Sequence, residues 1–190
     1  MLGQTGLANS QEDVLLRLVH SSGDPALAGL LRFSLGACEA GQIALARGAV
    51  ILTDTAMASA AVAPMAARTF SNPVHSVLSW APDQAPEGQT RTALGMARAL
   101  EVYPDAVVLI GSAPTALEQL LDLVEAHRSA PSLVVGMPVG FVGVAQSKSR
   151  LAASGLPQIR LEGSRGGAGL VAAAVNALLR RAWLDQRASG

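Results

Sequence analysis

The chain has 190 residues, 14 basic and 14 acidic side chains, three histidines and one cysteine. That length suits one domain, and an apolar half supplies a substantial core and excludes disorder. Zero net charge leaves no basic footprint for nucleic acid, while a lone Cys38 excludes an intramolecular disulfide framework and an all-cysteine metal site.

The first residues, Met1 to Ser10, carry neither a basic n-region nor an apolar core, so they do not read as a signal peptide. Apolar runs along the chain are short and broken by Asp, Arg, Gly or Pro, which leaves no membrane span. The expectation is a soluble cytoplasmic protein, a single domain over 1–190 with 1–9 and 186–190 loose.

Asn9 or Ser10, followed by Gln11-Glu12-Asp13, predicts a helix start, with acids near the positive end of the dipole. This helix runs through His20 and stops at Ser21-Ser22-Gly23. Asp24-Pro25 then reads as a cap with proline in the first helical position. A second helix is expected over 34–47, ending before Gly48.

From there the period changes. Ala49 to Leu52 is a short continuous apolar run of the kind a buried parallel strand needs, and Thr55 to Ala63 reads as helix. Similar runs follow at Val74 to Trp80, Ala106 to Ile110 and Leu133 to Val135, each succeeded by a helical pattern: Thr90 to Val102, Pro114 to His127 and about Ala145 to Ala153. Pro157 to Leu161 is a last strand candidate before a helix over Gly167 to Trp183. Ala81 to Gly88, rich in proline and acid, reads as a surface loop. Strands alternating with helices predict an α/β fold of three layers, a mostly parallel sheet covered by helices on both faces. In such sheets ligands sit beyond the carboxyl ends of the strands. That rule directs attention to Thr53-Asp54, Ser79-Trp80, Gly111-Ser112-Ala113 and Gly136-Met137-Pro138.

The pattern alone leaves the chemistry open. Gly136 to Gly143 is either a phosphate-cradling turn or a tight strand-to-helix connection, since it matches neither the P-loop nor the GxGxxG spacing. Gly166-Gly167 is either an anion site at a helix start or simply a helix start. His75 in a strand and His127 at a helix end read as structural. His20 lies three residues after Arg17 on one helical face, beside an open end of the helix, and is the histidine most suited to chemistry. No metal-ligand spacing and no Gly-x-Ser-x-Gly elbow appears.

Several segments occur together in one order: LVHSSGD from Leu18, ILTDTAM from Ile51, TRTA from Thr90, IGSAPTAL from Ile110, GMPVGFVG from Gly136 with Ser147-Lys148, and Gly166-Gly167 with Asn176. This order resembles the precorrin-8X methylmutase family over about residues 11–183. The resemblance implies a flavodoxin-like fold, a homodimer with active sites near the subunit contact, and no redox cofactor. It implies movement of a methyl group from C-11 to C-12 of a tetrapyrrole, giving hydrogenobyrinic acid, or cobyrinic acid when cobalt is present.

On this resemblance His20 is the catalytic histidine, protonating or hydrogen-bonding a ring nitrogen, a task suited to an imidazole because histidine titrates near neutrality. Arg17, Arg91 and Lys148 are the implied partners of the substrate's carboxylates, a gathering of cations hidden in the neutral total. Thr53, Asp54, Thr92 and Ser112 are further candidate contacts, and Gly140, Gly166 and Gly167 allow the backbone near the ring; no metal site is implied. Ser112, Gln146 and Ala168 replace residues usual in the family, and its N-terminal Ser-Phe motif has no counterpart. Two other functions compete: a paralogue that binds a tetrapyrrole without isomerising it, and a generic phosphate- or nucleotide-binding domain.

Overall fold

The computed structural model describes residues 6–188. Its elements follow in the order α1 (Asn9–Ser22), a 3-10 turn (Pro25–Gly29), β1 (Leu31–Phe33), α2 (Ala37–Ala46), β2 (Ile51–Thr53), α3 (Ala56–Arg68) and β3 (Val74–Ser76). A second 3-10 turn (Val77–Trp80) leads to α4 (Arg91–Val102), β4 (Val107–Ile110), α5 (Pro114–Glu125), β5 (Leu133–Gly136), α6 (Val144–Ala153), β6 (Gln158–Leu161) and α7 (Ala168–Ala188).

The six strands form one sheet in the order β1-β6-β5-β4-β2-β3, parallel throughout except for β1 against β6. Counting only the parallel strands, the order is the 2-1-3-4-5 of flavodoxin-like folds, with β1 added antiparallel at one edge. Side chains alternate across the sheet as the pleat requires. Ile51, Val107, Leu109, Leu133, Val135 and Ile159 join the core under α1, α2, α3 and α7. Leu52, Val108, Ile110 and Val134 join the opposite core under α4, α5 and α6. The expected three-layer architecture is the observed one.

Alanine makes one layer unusually close. Ala172, Ala173, Ala174 and Ala177 of α7 are buried against α1, α2 and α3. Asn176 donates from Nδ2 to the Ala61 carbonyl of α3 at 3.1 Å, tying the two helices. On the other layer, Arg150 of α6 spans Glu118, Asp122 and Glu125 of α5.

Several boundaries differ from expectation. Strand β1 has no sequence signal, since it is three residues with Arg32 at the centre; pairing of Leu31, Arg32 and Phe33 with Leu161, Arg160 and Ile159 makes it a strand. The run from Val74 to Trp80 is a strand only to Ser76. The Ser76 Oγ accepts from the Leu78 N–H at 3.3 Å and bends the chain into the 3-10 turn, so Ser79-Trp80 is not a strand end. Helix α2 starts at Ala37, because Gly36 takes a left-handed φ of 71°. Helix α3 continues past Ala63 through Pro64, whose side is exposed, while Val62 and Ala66 keep the helix against the core. Helix α7 passes Trp183 and continues to Ala188, so the expected loose end is helical over 186–188.

Candidate active site

The first turns of α1 show how the site is made. Val14, Leu15 and Leu18 are buried, and the opposite stripe at i, i+3, i+4 and i+7 presents Asp13, Leu16, Arg17 and His20. This stripe and Ala177 and Arg180 of α7 line a cleft of about 240 Å³. His20 is exposed and Arg17 half-buried, one turn apart on the same wall. The helix ends sharply behind them. Gly23, at φ 68°, donates its N–H to the Val19 carbonyl at 2.8 Å, and the Ser22 hydroxyl donates to the Leu18 carbonyl at 2.8 Å.

A second cleft, about 450 Å³, follows along the same two helices. Ser22 lies two residues beyond His20, and Leu170 two turns before Ala177. Its far walls are the loops after β5 and β6: Val139, Gly140 and Phe141 from one, Ser164, Arg165 and Gly166 from the other. The lip is apolar, with Phe141 92 % and Val142 90 % exposed. Arg165 pairs with Asp24 across one side. Both walls therefore stand at the carboxyl edge of the sheet, where the α/β rule places ligands.

The two glycines in these walls have different reasons. Gly140 has φ 126°, and a Cβ there would make only an ordinary contact with Val144 at 3.7 Å; its N–H is given to the Ser164 carbonyl at 3.0 Å. A Cβ on Gly166 would run into the Met137 carbonyl oxygen, so this glycine is required by the approach of two loops of the protein itself. Gly167 donates to the same carbonyl at 2.9 Å and starts α7.

Lys148 lies beneath these loops and not on the rim. It is 3 % exposed, and its ammonium donates to the carbonyls of Gly163 and Arg165, each at 2.7 Å. Burial pulls its pKa down to about 8. The side chain is a latch on the loop that carries Arg165 and Gly166.

Thr53 and Asp54 are also inside, both with no exposed surface. The Thr53 hydroxyl donates to the Thr55 carbonyl at 2.8 Å and lies 2.6 Å from the Ser59 hydroxyl. Asp54 follows β2, next to the loop after β4, which is the point where the strand order reverses. Its Oδ2 accepts the N–H groups of Gly111 at 3.1 Å, Ser112 at 2.6 Å and Ala113 at 2.8 Å. These N–H groups line the turn after β4 that leads to Ala113, the N-cap of α5. Burial pushes the Asp54 carboxyl above its ordinary value, against the pull of those donors. The carboxylate takes up the N–H groups of the turn at the switch point, where the α/β rule places ligands.

Arg91, Thr92 and Ser112 form a third group around the starts of α4 and α5. Arg91 donates from Nε to the Pro82 carbonyl at 2.8 Å, Thr92 lies 3.2 Å from the Thr90 hydroxyl, and Thr90 reaches Thr115 at 2.7 Å. The expected cations are thus distributed: Arg17 on one helical layer, Arg91 and Lys148 on the other. Sequence reasoning missed Arg180, Arg165, Asp24 and Phe141. An aromatic side chain inside a glycine-flanked loop was a signal for Phe141; nothing local marked Arg180. His75 packs between Trp80 and Tyr103, with ring centroids 5.6 and 6.0 Å away, a structural place.

Comparison with known proteins gives the family. A family model described as precorrin-8X methylmutase matches residues 1–181. The chain belongs to the precorrin-8X methylmutase family. It is 36 % identical to the cobalt-precorrin-8 methylmutase of Synechocystis sp. over 198 aligned residues, covering 97 % of this chain and 91 % of the relative. It is 42 % identical to the precorrin-8X methylmutase of Pseudomonas aeruginosa over 178 residues, 91 % of this chain and 85 % of the relative. The crystal structure of a precorrin-8X methylmutase from Thermus thermophilus superposes with a TM-score of 0.87 at 37 % identity, covering 96 % of this chain and 90 % of that one. Among the described residues no helix is long and apolar enough to cross a membrane.

Proposed function

We propose that this member of the methylmutase family is an isomerase of cobalamin biosynthesis that moves the C-11 methyl group of precorrin-8X, or of its cobalt form, to C-12. The observation that carries the reading is His20 and Arg17 facing one cleft from consecutive turns of α1, outside a core that accounts for the rest of the helix. Arg17 pairs with a substrate carboxylate and His20 gives a proton or hydrogen bond to a ring nitrogen as the methyl group migrates. The substrate and product have the same atoms, so no redox partner is required. The apolar lip at Phe141 and Val142 offers contact to the macrocycle, and Gly140 keeps that loop close. Arg91, Thr92 and Ser112 remain candidate contacts for the outer carboxylates, reached from the start of α4 and α5.

The placement of Thr53, Asp54 and Lys148 supports indirect parts for them: holding the switch-point loop and the loop before α7. A homodimer, which the family resemblance implies, and a cytoplasmic location belong to the same proposal. A carboxylate already held by the N–H groups of the switch-point turn speaks against an anionic nucleotide at that turn. Incubating the protein with precorrin-8X tests the proposal directly, because isomerisation changes the conjugation and hence the absorbance spectrum. Conversion is expected. Tight binding without spectral conversion would replace it with a tetrapyrrole carrier.

A further inference from the structure

The charges around the His20 cleft are unevenly matched. Most of the 14 cations of the chain are engaged with carboxylates, carbonyls or an aromatic ring. Among the described residues, only Arg17, Arg47 and Arg180 make no such contact, and two of these three line the same cleft. The one acid in that lining, Asp13, is turned to Arg181 at 3.2 Å, and Arg181 also meets Asp185 at 3.3 Å. The cleft therefore presents two uncompensated guanidinium groups beside an imidazole, with its own carboxylate already used.

Its size matters as much as its charge. About 240 Å³ is below the range of pockets that enclose a whole drug-sized ligand, whereas it accommodates a carboxylate side arm with its water. The neighbouring cleft, about 450 Å³ with an apolar lip, has the opposite character. We propose that Arg180, on α7, forms with Arg17, on α1, a clamp for one peripheral carboxylate of the tetrapyrrole, and so sets which edge of the ring faces His20. This rests on the methylmutase reading of the cleft. Two planar donors lining one cleft from two helices suit a carboxylate, and each is carried by a helix whose other face is core. Arg180 is a specificity residue here: it selects an anionic arm and leaves the chemistry to His20.

The test compares wild type with Arg180→Ala, Arg180→Lys and, as a control of equal charge, Arg187→Ala, which lies on the same helix over the Trp183 ring at 4.6 Å. Binding of the polycarboxylate product and of its amidated counterpart is followed by quenching of tryptophan fluorescence, and turnover of precorrin-8X by absorbance. Arg180→Ala is expected to weaken product binding and raise KM about tenfold or more with kcat changed less than threefold, as for loss of one charge-assisted contact. Arg180→Lys recovers part of the loss, and Arg187→Ala binds as wild type. Amidation should weaken wild type more than it weakens Arg180→Ala. Equal affinity of wild type and Arg180→Ala, or an equal penalty from amidation in both, overturns the clamp. Should Arg180→Ala melt early, Arg180→Gln takes its place in every comparison. A wild type that shows the affinity gap but never converts precorrin-8X overturns the isomerase reading and leaves the clamp standing.

Discussion

Two crevices of the molecule, one at the switch point of the sheet and one along the α1 and α7 helices, end in opposite states. At the switch point between β2 and β4, the Asp54 carboxylate takes three N–H groups at the start of α5, and no surface of it remains exposed. Along α1 and α7, Arg17 and Arg180 hold no acid, His20 is exposed, and a neighbouring lip of Phe141 and Val142 stands in solvent. In the first crevice Oδ2 is fully used and Oδ1 is buried without a partner, and both are sealed from solvent; the second crevice is open. Access to solvent separates the two: the donors that meet Asp54 are closed off by it, whereas the cations along α1 and α7 stand open to a ligand.

The largest effect is expected where the first crevice is emptied. Asp54→Ala leaves three N–H groups without an acceptor and should cost about 3–5 kcal/mol of stability, read by denaturant unfolding. The same variant opens an anion site: millimolar phosphate should raise its melting temperature and leave that of wild type unchanged. If phosphate stabilised wild type equally, the contrast between the crevices would collapse.

His20→Ala acts on the second crevice and should lower kcat at least about a hundredfold, the usual scale for a proton-transfer group. Its unfolding free energy should stay within about 0.5 kcal/mol of wild type, since the side chain is exposed. Retained turnover would remove the histidine from the mechanism.

Lys148→Met tests the latch between the crevices, where loss of two carbonyl contacts should cost about 1–3 kcal/mol. The sign with pH is definite. The folded-state pKa, about 8, lies below the ordinary 10.5, so the unfolded chain binds more protons between those values. This group's contribution to stability therefore rises as pH goes from 8 to 10.5, and the rise should be absent in Lys148→Met. A melting series across that window decides it.

Phe141→Ala is expected to be the mildest change. The ring is almost wholly exposed, so stability should shift by less than about 0.5 kcal/mol while KM for precorrin-8X rises several-fold. An unchanged KM would take the lip out of the binding surface.

The parts read directly from sequence have local causes. Ile51-Leu52, Val107 to Ile110 and Leu133 to Val135 are continuous apolar runs buried on both faces, as strands of a parallel sheet between helical layers require, and the helical patterns between them single out that arrangement. His20 and Arg17 were legible as neighbours because helical spacing alone puts them on one face. Strand β1 was not legible, since its pairing partner lies about 130 residues away and its own composition says little. The family resemblance offers Lys148 as a carboxylate partner, and only the packing of α6 under the Gly163–Arg165 loop shows that its ammonium is buried on protein carbonyls.

By itself the sequence determined the α/β class, the alternation of elements, the family resemblance and the histidine at the end of α1. These depend on periodicities and short motifs, which neighbouring residues specify. The tertiary structure alone decided that Asp54 closes one crevice with its own carboxylate, that Arg91 and Lys148 lie on the helical layer opposite Arg17, and that Arg180 joins Arg17 beside His20. Each of these is a contact between segments tens to more than a hundred residues apart. Such contacts are selected by which apolar faces the folded layers bury, and no local pattern records that choice.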